Sequence, residues 1–270
     1  MKVRILDAHL HLDLILREGE EAISFFKKER IGFVTWAYLE PPPRELGDFE
    51  RYFERILDLV RRVRRRGIWG KACLGFHPRS IPESSRGEPV FPEEAFRILE
   101  RFLREDEVCG IGEIGFERGD EVEEAFLRGQ LEVARKLLAE GTRRKVCIHT
   151  PRSRKEEMTR RTLSLLEDFP ELRDLVLIDH TTPKTAGEVL QRGFRAGVSL
   201  NEGKCSLEDV LEIYARFRSH LDRIILNTDS VRIAPEDYRL LQVLNSELPE
   251  EAKRKLLWEN AWNFFEPEGR

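Results

Sequence analysis

The sequence predicts an α/β protein built as a single (β/α)8 barrel, the TIM-barrel architecture. Short apolar runs alternate with longer amphipathic segments eight times, which is the pattern of parallel strands joined by helices. The chain has 270 residues without a break in composition, and single barrels commonly have this length. An open, doubly wound sheet is the alternative, but it does not require eight units. We therefore expect one domain over residues 1–270.

Eight apolar runs have the length and spacing expected of strands. They are Val3–Ala8, Gly32–Leu39, Gly70–Phe76, Val108–Gly115, Lys145–Thr150, Leu175–Asp179, Arg195–Leu200 and Arg223–Thr228. The segments between them repeat apolar residues with the period of an amphipathic helix. They are Glu18–Arg30, Phe49–Arg66, Pro92–Arg104, Glu121–Glu140, Arg154–Asp168, Thr185–Arg192 and Leu207–His220, followed after the last strand by Glu236–Asn245 and Pro249–Phe265.

Glycines, prolines and one polar stretch mark the connections. Gly67 and Gly141 lie where helices are expected to end, because glycine accepts the left-handed backbone of a helix C-terminus. Pro92 and Pro249 are each followed by two glutamates, which suits the first turn of a helix. The longest unassigned stretch, Pro78 to Phe91, is polar and predicts a loop over the active face rather than a linker.

Composition argues against several classes of protein. There are 46 Lys and Arg against 50 Asp and Glu, a formal net charge of −4, so no global basic field attracts nucleic acid or membrane. No apolar run approaches the roughly 20 residues of a membrane-spanning helix, and the chain starts directly with a strand. We expect a soluble, cytoplasmic protein. The cysteines lack CxxC spacing and predict reduced core residues: Cys73, Cys109, Cys147 and Cys205.

Histidines cluster at the predicted strand ends. The carboxyl ends of barrel strands converge on one face, here called the mouth, where loops build the active site. Five of the six histidines lie at such an end: His9, His11, His77, His149 and His180. The sixth, His220, lies near the end of a helical segment and is expected to be structural.

Two carboxylates join these histidines. Glu113 closes the fourth run among glycines that leave room beside the backbone, and Asp229 follows the apolar eighth run. An acid in such a place is costly unless it is paired or binds a metal. Four histidines and two carboxylates predict two adjacent divalent ions (Zn, Mn, Mg, Fe or Co), which share a water and lower its pKa. The candidates for these ligands are the five strand-end histidines together with Glu113 and Asp229.

The chain resembles the TatD-type metal-dependent hydrolases, a branch of the amidohydrolase superfamily that includes DNases. The resemblance covers most of the length, motif by motif and in order. The matching segments are Asp7-Ala8-His9-Leu10-His11 (D-x-H-x-H), Gly75-Phe76-His77-Pro78 (G-x-H-P), Ile111-Gly112-Glu113-Ile114-Gly115 (IGEIG), Ile148-His149, Asp179-His180, Gly193-Phe194 with Val198-Ser199, Thr228-Asp229-Ser230, and Glu259-Asn260-Ala261 with Phe264-Phe265.

The resemblance implies a role for each residue of the site. His9, His11 and Asp229 would bind one metal, and Glu113 would bridge it to a second metal held by two further histidines. The second-metal histidines are His149 and His180. Asp229 would also take the proton from the attacking water. His77 would contact the anionic group of the substrate.

Three departures from the family pattern lie outside the implied metal ligands. Pro151 stands where the family often has arginine, so that Arg152 is displaced by one position. The stretch after His180 reads Thr-Thr-Pro-Lys instead of the common x-F-x-G, and Asn227 replaces the usual glutamate before Thr-Asp. The metal chemistry is therefore better supported than a DNA substrate.

Several residues near the mouth are candidates for substrate binding. The cations that follow strand ends suit phosphate contacts: Arg152, Arg154, Lys155 and Lys184, with Lys204 in addition. Trp36, at the end of the second strand, would stack a base or simply pack in the core. The densest basic run, Arg61–Arg66, ends a helix on the far face and predicts a solvated surface.

The sequence therefore predicts a metal-dependent hydrolase acting on phosphoester bonds, with nucleic acid as a candidate substrate. A second hypothesis is an enzyme that hydrolyses an amide, lactone or ester, motivated by the altered motifs around the mouth. A third is a phosphatase of the PHP type, against which the eighth-strand Asp229 and the Gly-Phe-His-Pro segment argue. The non-enzymatic hypothesis is a barrel that keeps its metal for stability or binding.

Overall fold

Eight parallel strands follow one another in chain order around one sheet. The computed structural model describes residues 4–17, 19–43, 45–82 and 93–266. The strands are β1 Ile5–Leu10, β2 Ile31–Trp36, β3 Gly70–Leu74, β4 Val108–Gly115, β5 Lys145–His149, β6 Val176–Ile178, β7 Arg195–Ser199 and β8 Ile224–Asn227. All eight predicted strands are thus present, and most bounds agree within one to three residues.

The first and last strands meet at the mouth. The backbone N–H of Asp229 donates to the His9 carbonyl oxygen at 2.8 Å, and the N–H of His11 donates to the Ser230 carbonyl oxygen at 2.9 Å. These bonds join the chain just after β8 to β1 and bring the sheet round into a barrel. The predicted (β/α)8 architecture is confirmed, and the open-sheet alternative is wrong.

Helices connect the strands on the outside of the barrel. In the described residues they are α1 Leu12–Ile15, α2 Glu21–Glu29, α3 Leu46–Arg65, α4 Glu93–Phe102, α5 Glu121–Ala139, α6 Lys155–Leu165, α7 Ala186–Gln191, α8 Leu207–Arg216, α9 Arg239–Leu244, α10 Glu250–Arg254 and α11 Asn260–Phe265. Gly67 and Gly141 have φ of 83° and 85° just after α3 and α5, so both predicted helix ends are confirmed.

Three features differ from the predicted elements. The short helix α1, directly after β1, was not predicted. The last predicted helix, Pro249–Phe265, is divided by a π-helical turn at Lys255–Glu259 into α10 and α11. Of the expected loop over 78–91, only residues 78–82 are described; Pro78–Ser80 forms one 3-10 turn, and residues 83–92 lie outside the described part.

Two apolar layers surround the sheet. One face of the strands packs against the helices and forms the larger core. The other face fills the barrel interior with Leu6, Val34 and Leu177 among others, and Phe264 and Phe265 of α11 close its lower end. All four cysteines are buried and reduced, as predicted. None of the described helices combines the length and apolar character needed to cross a membrane.

Candidate metal centre

The six predicted metal ligands lie together at the mouth. Among the described residues, three groups of three side chains have one ligand atom each within 4.8 Å of one another. The groups are His9–His11–Asp229, His9–Glu113–His180 and His77–Glu113–His149. They share members, so together they form one connected cluster of five histidines and two carboxylates that the β1, β3, β4, β5, β6 and β8 ends supply.

The end of β1 supplies two imidazoles because residues two apart on a strand face the same way. His11 Nε2 lies 3.0 Å from Oδ1 of Asp229, and His9 Nε2 lies 3.4 Å from the same oxygen. Asp229 reaches this position from a left-handed backbone with φ of 47°, and His180 has φ of 57°. Such backbones are uncommon outside glycine and concentrate at functional sites.

Asp179 fixes the His9 ring. His9 Nδ1–H donates to Asp179 Oδ2 at 2.6 Å, which leaves the lone pair of Nε2 facing Glu113 and Asp229. The ring is fully buried and stacks on the Trp36 indole at 3.9 Å, yet Nε2 has no hydrogen-bond partner. Buried polar atoms are rarely left without a partner. An unprotonated imidazole nitrogen aimed at two carboxylates therefore fits a divalent metal ion.

Ser199 fixes the orientation of the His180 ring, as Asp179 does for the His9 ring. The His180 Nδ1–H donates to Ser199 Oγ at 2.8 Å. The Ser199 hydroxyl in turn donates to Asp179 Oδ1 at 3.4 Å. His180 Nε2 then faces Glu113 Oε1 at 3.0 Å. Asn227 donates to Asp179 Oδ1 at 2.8 Å, so the residue that departs from the family pattern anchors this carboxylate.

Burial favours the neutral, metal-binding form of three of the imidazoles: His11, His77 and His180. It lowers the pKa of His11 to about 4 and holds the pKa values of His77 and His180 well below their usual range. For His9, burial also lowers the pKa, but the charges of Glu113 and Asp179 outweigh it and raise the pKa overall.

Glu113 lies between the two halves of the cluster. Its Oε1 is 2.6 Å from His149 Nδ1 and 3.0 Å from His180 Nε2, while Oε2 is 3.5 Å from His9 Nε2. Burial raises the pKa of this carboxyl, yet the surrounding imidazoles hold it well below its usual value, so it is ionised. Gly115 allows β4 to lie this close to β5, because a Cβ atom at this position would lie 2.4 Å from the His149 carbonyl oxygen.

Two residues that contact the cluster have roles that sequence reasoning missed. Glu117 Oε2 lies 2.9 Å from His149 Nε2, and Arg79 donates to Glu117 Oε1 at 2.6 Å. Burial raises the pKa of Glu117, but these two contacts bring it down to about 2. The position of Glu117, four residues after Glu113, was the available signal. Lys204, expected only as a phosphate contact, pairs with Asp229 Oδ2 and lies 3.2 Å from His180 Nδ1.

The predicted substrate-binding residues differ in how far their side chains are exposed. His77 belongs to the cluster, with Nε2 at 3.8 Å from Glu113 Oε2. Arg152 and Lys184 line a cavity of about 490 Å³ next to His180. Trp36 is fully buried behind His9 and accepts a hydrogen bond from His11 Nδ1 at its carbonyl oxygen, which is a packing position without a face open to a base.

Other predicted cations are engaged elsewhere. Arg154 pairs with Glu157, and Lys155 donates to the carbonyl oxygens of Thr150 and His180. Within the Arg61–Arg66 run, Arg61 pairs with two glutamates and Arg62 and Arg66 pair with Glu20, as expected for a solvated surface.

Asp7 is part of the first motif but points away from the cluster. Its Oδ1 accepts from the Thr228 N–H at 2.9 Å, and its Oδ2 accepts from the Thr228 hydroxyl and the Tyr238 hydroxyl, each at 2.6 Å. The carboxyl is fully buried and ties β1 to the chain that follows β8. Asp7 therefore holds in place the strand end that carries Asp229, and it is not a metal ligand.

Comparison with known proteins identifies the family of the chain. Residues 6–257 match the family model described as TatD related DNase. The chain is 27% identical to an uncharacterized metal-dependent hydrolase of Methanocaldococcus jannaschii, with 97% of this chain and 99% of that protein covered. The crystal structure of a TatD-like protein from Archaeoglobus fulgidus matches with a TM-score of 0.76 at 26% identity, covering 96% of this chain and 99% of that one.

A more distant match extends the likeness of fold. The crystal structure of a TatD homolog from Escherichia coli has a TM-score of 0.64 at 18% identity and covers 98% of this chain and 99% of its own. Because the family model spans nearly the whole chain, and the relatives are covered almost end to end, the protein belongs to the TatD-related DNase family of metal-dependent hydrolases.

Proposed function

We propose that this metal-dependent hydrolase cleaves phosphoester bonds with two divalent metal ions and an activated water, nucleic acid being a candidate substrate. One observation supports the proposal above all others. Glu113 lies between the β1–β8 group and the β5–β6 histidines, so one carboxylate with two oxygens faces ligands on both sides. A bridging carboxylate of this kind is what two neighbouring ions need.

The proposed ligands fall into two sets. His9, His11 and Asp229 bind one ion, and His149 and His180 bind the other. Glu113 belongs to both sets. When bound, the pair of ions lowers the pKa of a water and neutralises charge on the attacked group.

Asp229 is the proposed base that receives the proton of the attacking water. Its Oδ1 faces His9 and His11, while its Oδ2 pairs with the Lys204 ammonium. The two oxygens therefore have different neighbours, and the carboxylate is held in one orientation. A positioned carboxylate within reach of the water is the requirement for general base catalysis.

His77 is the proposed donor to the substrate. Its Nδ1 accepts a hydrogen bond from the Arg79 N–H at 3.0 Å, so the proton of the neutral ring is on Nε2. That nitrogen faces the cluster, 3.8 Å from Glu113 Oε2. An N–H there can donate to an anionic substrate oxygen, whereas binding a metal through Nε2 would require losing the bond from Arg79.

The test is hydrolysis by purified protein loaded with Mn²⁺ or Zn²⁺. We expect turnover of bis(4-nitrophenyl) phosphate, a loss of about a hundredfold or more in the Asp229→Asn and His149→Ala variants, and no change in an Asp58→Asn control on the exposed face of α3. Metal-loaded protein that is inert toward phosphoesters but active on an amide, lactone or ester would overturn the proposal in favour of the second hypothesis.

A further inference from the structure

A cavity opens beside the metal centre between the loops that follow β5, β6 and β7. We call it the anion cavity. Its volume is about 490 Å³, which is the lower part of the range for small-molecule sites. Its lining includes His180 of the metal centre and Lys204, which pairs with Asp229, together with the cations Arg152 and Lys184.

Arg152 and Lys184 have no polar partner in the part of the chain that the structure describes. Neither forms a hydrogen bond or an ion pair there, whereas the nearby Arg154 pairs with Glu157. Lys155 also lines the cavity, but its ammonium donates to three oxygens of the protein. Two cations thus remain available to a ligand, and a guanidinium is well shaped to bind a phosphate through two bonds.

Arg152 also lines a second cavity of about 490 Å³, on the side of the β7 and β8 loops. That cavity includes Asn201, whose amide donates to the Asp229 backbone oxygen at 3.1 Å. Arg152 therefore lines both cavities, of which one includes His180 and the other includes Ser230, the residue after Asp229.

The lining of the anion cavity also includes acidic residues. They are Glu156, Asp209 and Glu212. Asp209 is engaged at the start of α8, and Glu212 pairs with Arg216, but Glu156 forms no ion pair among the described residues. A lining that carries carboxylates as well as cations favours a compact anion over a long polyanion, because the carboxylates would repel the additional phosphates.

We propose that the substrate carries a second phosphate that is not cleaved, and that Arg152 and Lys184 bind it in the anion cavity. This inference rests on the proposed phosphoester chemistry and narrows its substrate class. The expected substrate is a short phosphoester of nucleotide or dinucleotide size with a terminal phosphate. Long DNA is expected to be a poor substrate.

The experiment compares dithymidine monophosphate with its 5′-phosphorylated and 3′-phosphorylated forms. One phosphorylated form should have a kcat/KM at least about tenfold higher, the usual effect of a charged hydrogen-bonded contact. In Arg152→Gln this ratio should fall to about one, while Arg160→Gln, a matched change on the exposed side of α6, should keep it. Equal kcat/KM for all three substrates, or an unchanged ratio in Arg152→Gln, would overturn the proposal.

Two further measurements separate this inference from the proposed chemistry. Bis(4-nitrophenyl) phosphate has no second phosphate, so its turnover reports on the chemistry alone. Binding of thymidine 3′,5′-bisphosphate and thymidine 5′-monophosphate to the metal-loaded protein, measured by calorimetry, reports on the anion cavity alone. The bisphosphate should bind about tenfold more tightly in the wild type and equally in Arg152→Gln. Equal binding in the wild type contradicts the inference even if phosphoesters are cleaved.

Discussion

Asp179 accepts a hydrogen bond from His9 Nδ1 at 2.6 Å, and this bond aims the opposite nitrogen of the ring at the metal centre. The same carboxylate reaches His180 through Ser199. One buried acid directly after β6 thereby orients a proposed ligand in each metal set. Gly197 makes room for it, because a side chain at that position would begin 2.3 Å from Asp179 Oδ1.

An Asp179→Asn variant should therefore bind metal more weakly. The asparagine amide can donate from its NH2 group to His9 Nδ1. The ring proton would then lie on Nε2, whose lone pair would no longer be available to the metal. We expect metal affinity to fall about 10- to 100-fold, as for other residues that orient metal-binding histidines. Titration of the metal-free protein with Zn²⁺ in competition with a chelating dye measures it, with Asp58→Asn as the control. Unchanged affinity would show that Asp179 does not orient the ligands.

Glu117 should act in the same way on His149. A Glu117→Gln variant keeps the shape of the side chain but removes the charge that faces His149 Nε2 at 2.9 Å. We expect the ion held by His149 and His180 to bind about tenfold more weakly, while the ion held by the other set is retained. The metal titration should then show two separated steps. Arg79→Gln offers a check, because loss of its bond to Glu117 should have a smaller effect of the same sign. Weakening of both ions equally would contradict the division into two sets.

The strand ends that build the centre were predictable, whereas the contacts among them were not. Apolar runs that end in His9, Glu113, His149 or Asp229 are visible in one dimension, and a barrel brings such ends together. Glu117 and Lys204 lie in loops, and which carboxylate or imidazole they meet depends on how those loops fold back. Three-dimensional packing, not local pattern, decides such partners.

Trp36 illustrates the same limit. Its place at a strand end allowed stacking on a base but favoured packing in the core at least as much, and burial of the whole side chain against His9 supports packing. The split of the last helix is similar. Its apolar period continues through Lys255–Glu259, so the pattern alone does not reveal the π-helical turn there.

Replacement of Trp36 should accordingly affect stability more than substrate binding. We expect Trp36→Ala to lower the free energy of unfolding by about 3–5 kcal/mol, because it leaves a cavity in the barrel interior. Trp36→Phe should lose less and keep KM within about twofold of the wild type, since no ring face contacts substrate. Urea unfolding and steady-state kinetics measure both. A tenfold or larger rise of KM in Trp36→Phe without loss of stability would indicate a stacking role.

Removal of metal should destabilise the protein. Glu113 and Asp229 are held close together among imidazoles, and ions that bind only the folded chain stabilise it by mass action. At a free Zn²⁺ concentration of about 100 times Kd, the free energy of unfolding should exceed that of the chelated protein by about 2.7 kcal/mol for each ion. Thermal unfolding with Zn²⁺ and with chelator tests this. A Tm independent of metal would indicate that these residues bind no ion.

The central claim is that one cluster binds two ions, and metal content measures it most directly. Protein purified with Mn²⁺ or Zn²⁺ present and analysed by mass spectrometry of the element should contain two ions per chain. His11→Ala and His149→Ala should each contain about one, because each removes a ligand of a different set. Two ions in the wild type and one in each variant is the predicted result. One ion or fewer in the wild type, with no further binding on titration, would contradict the claim.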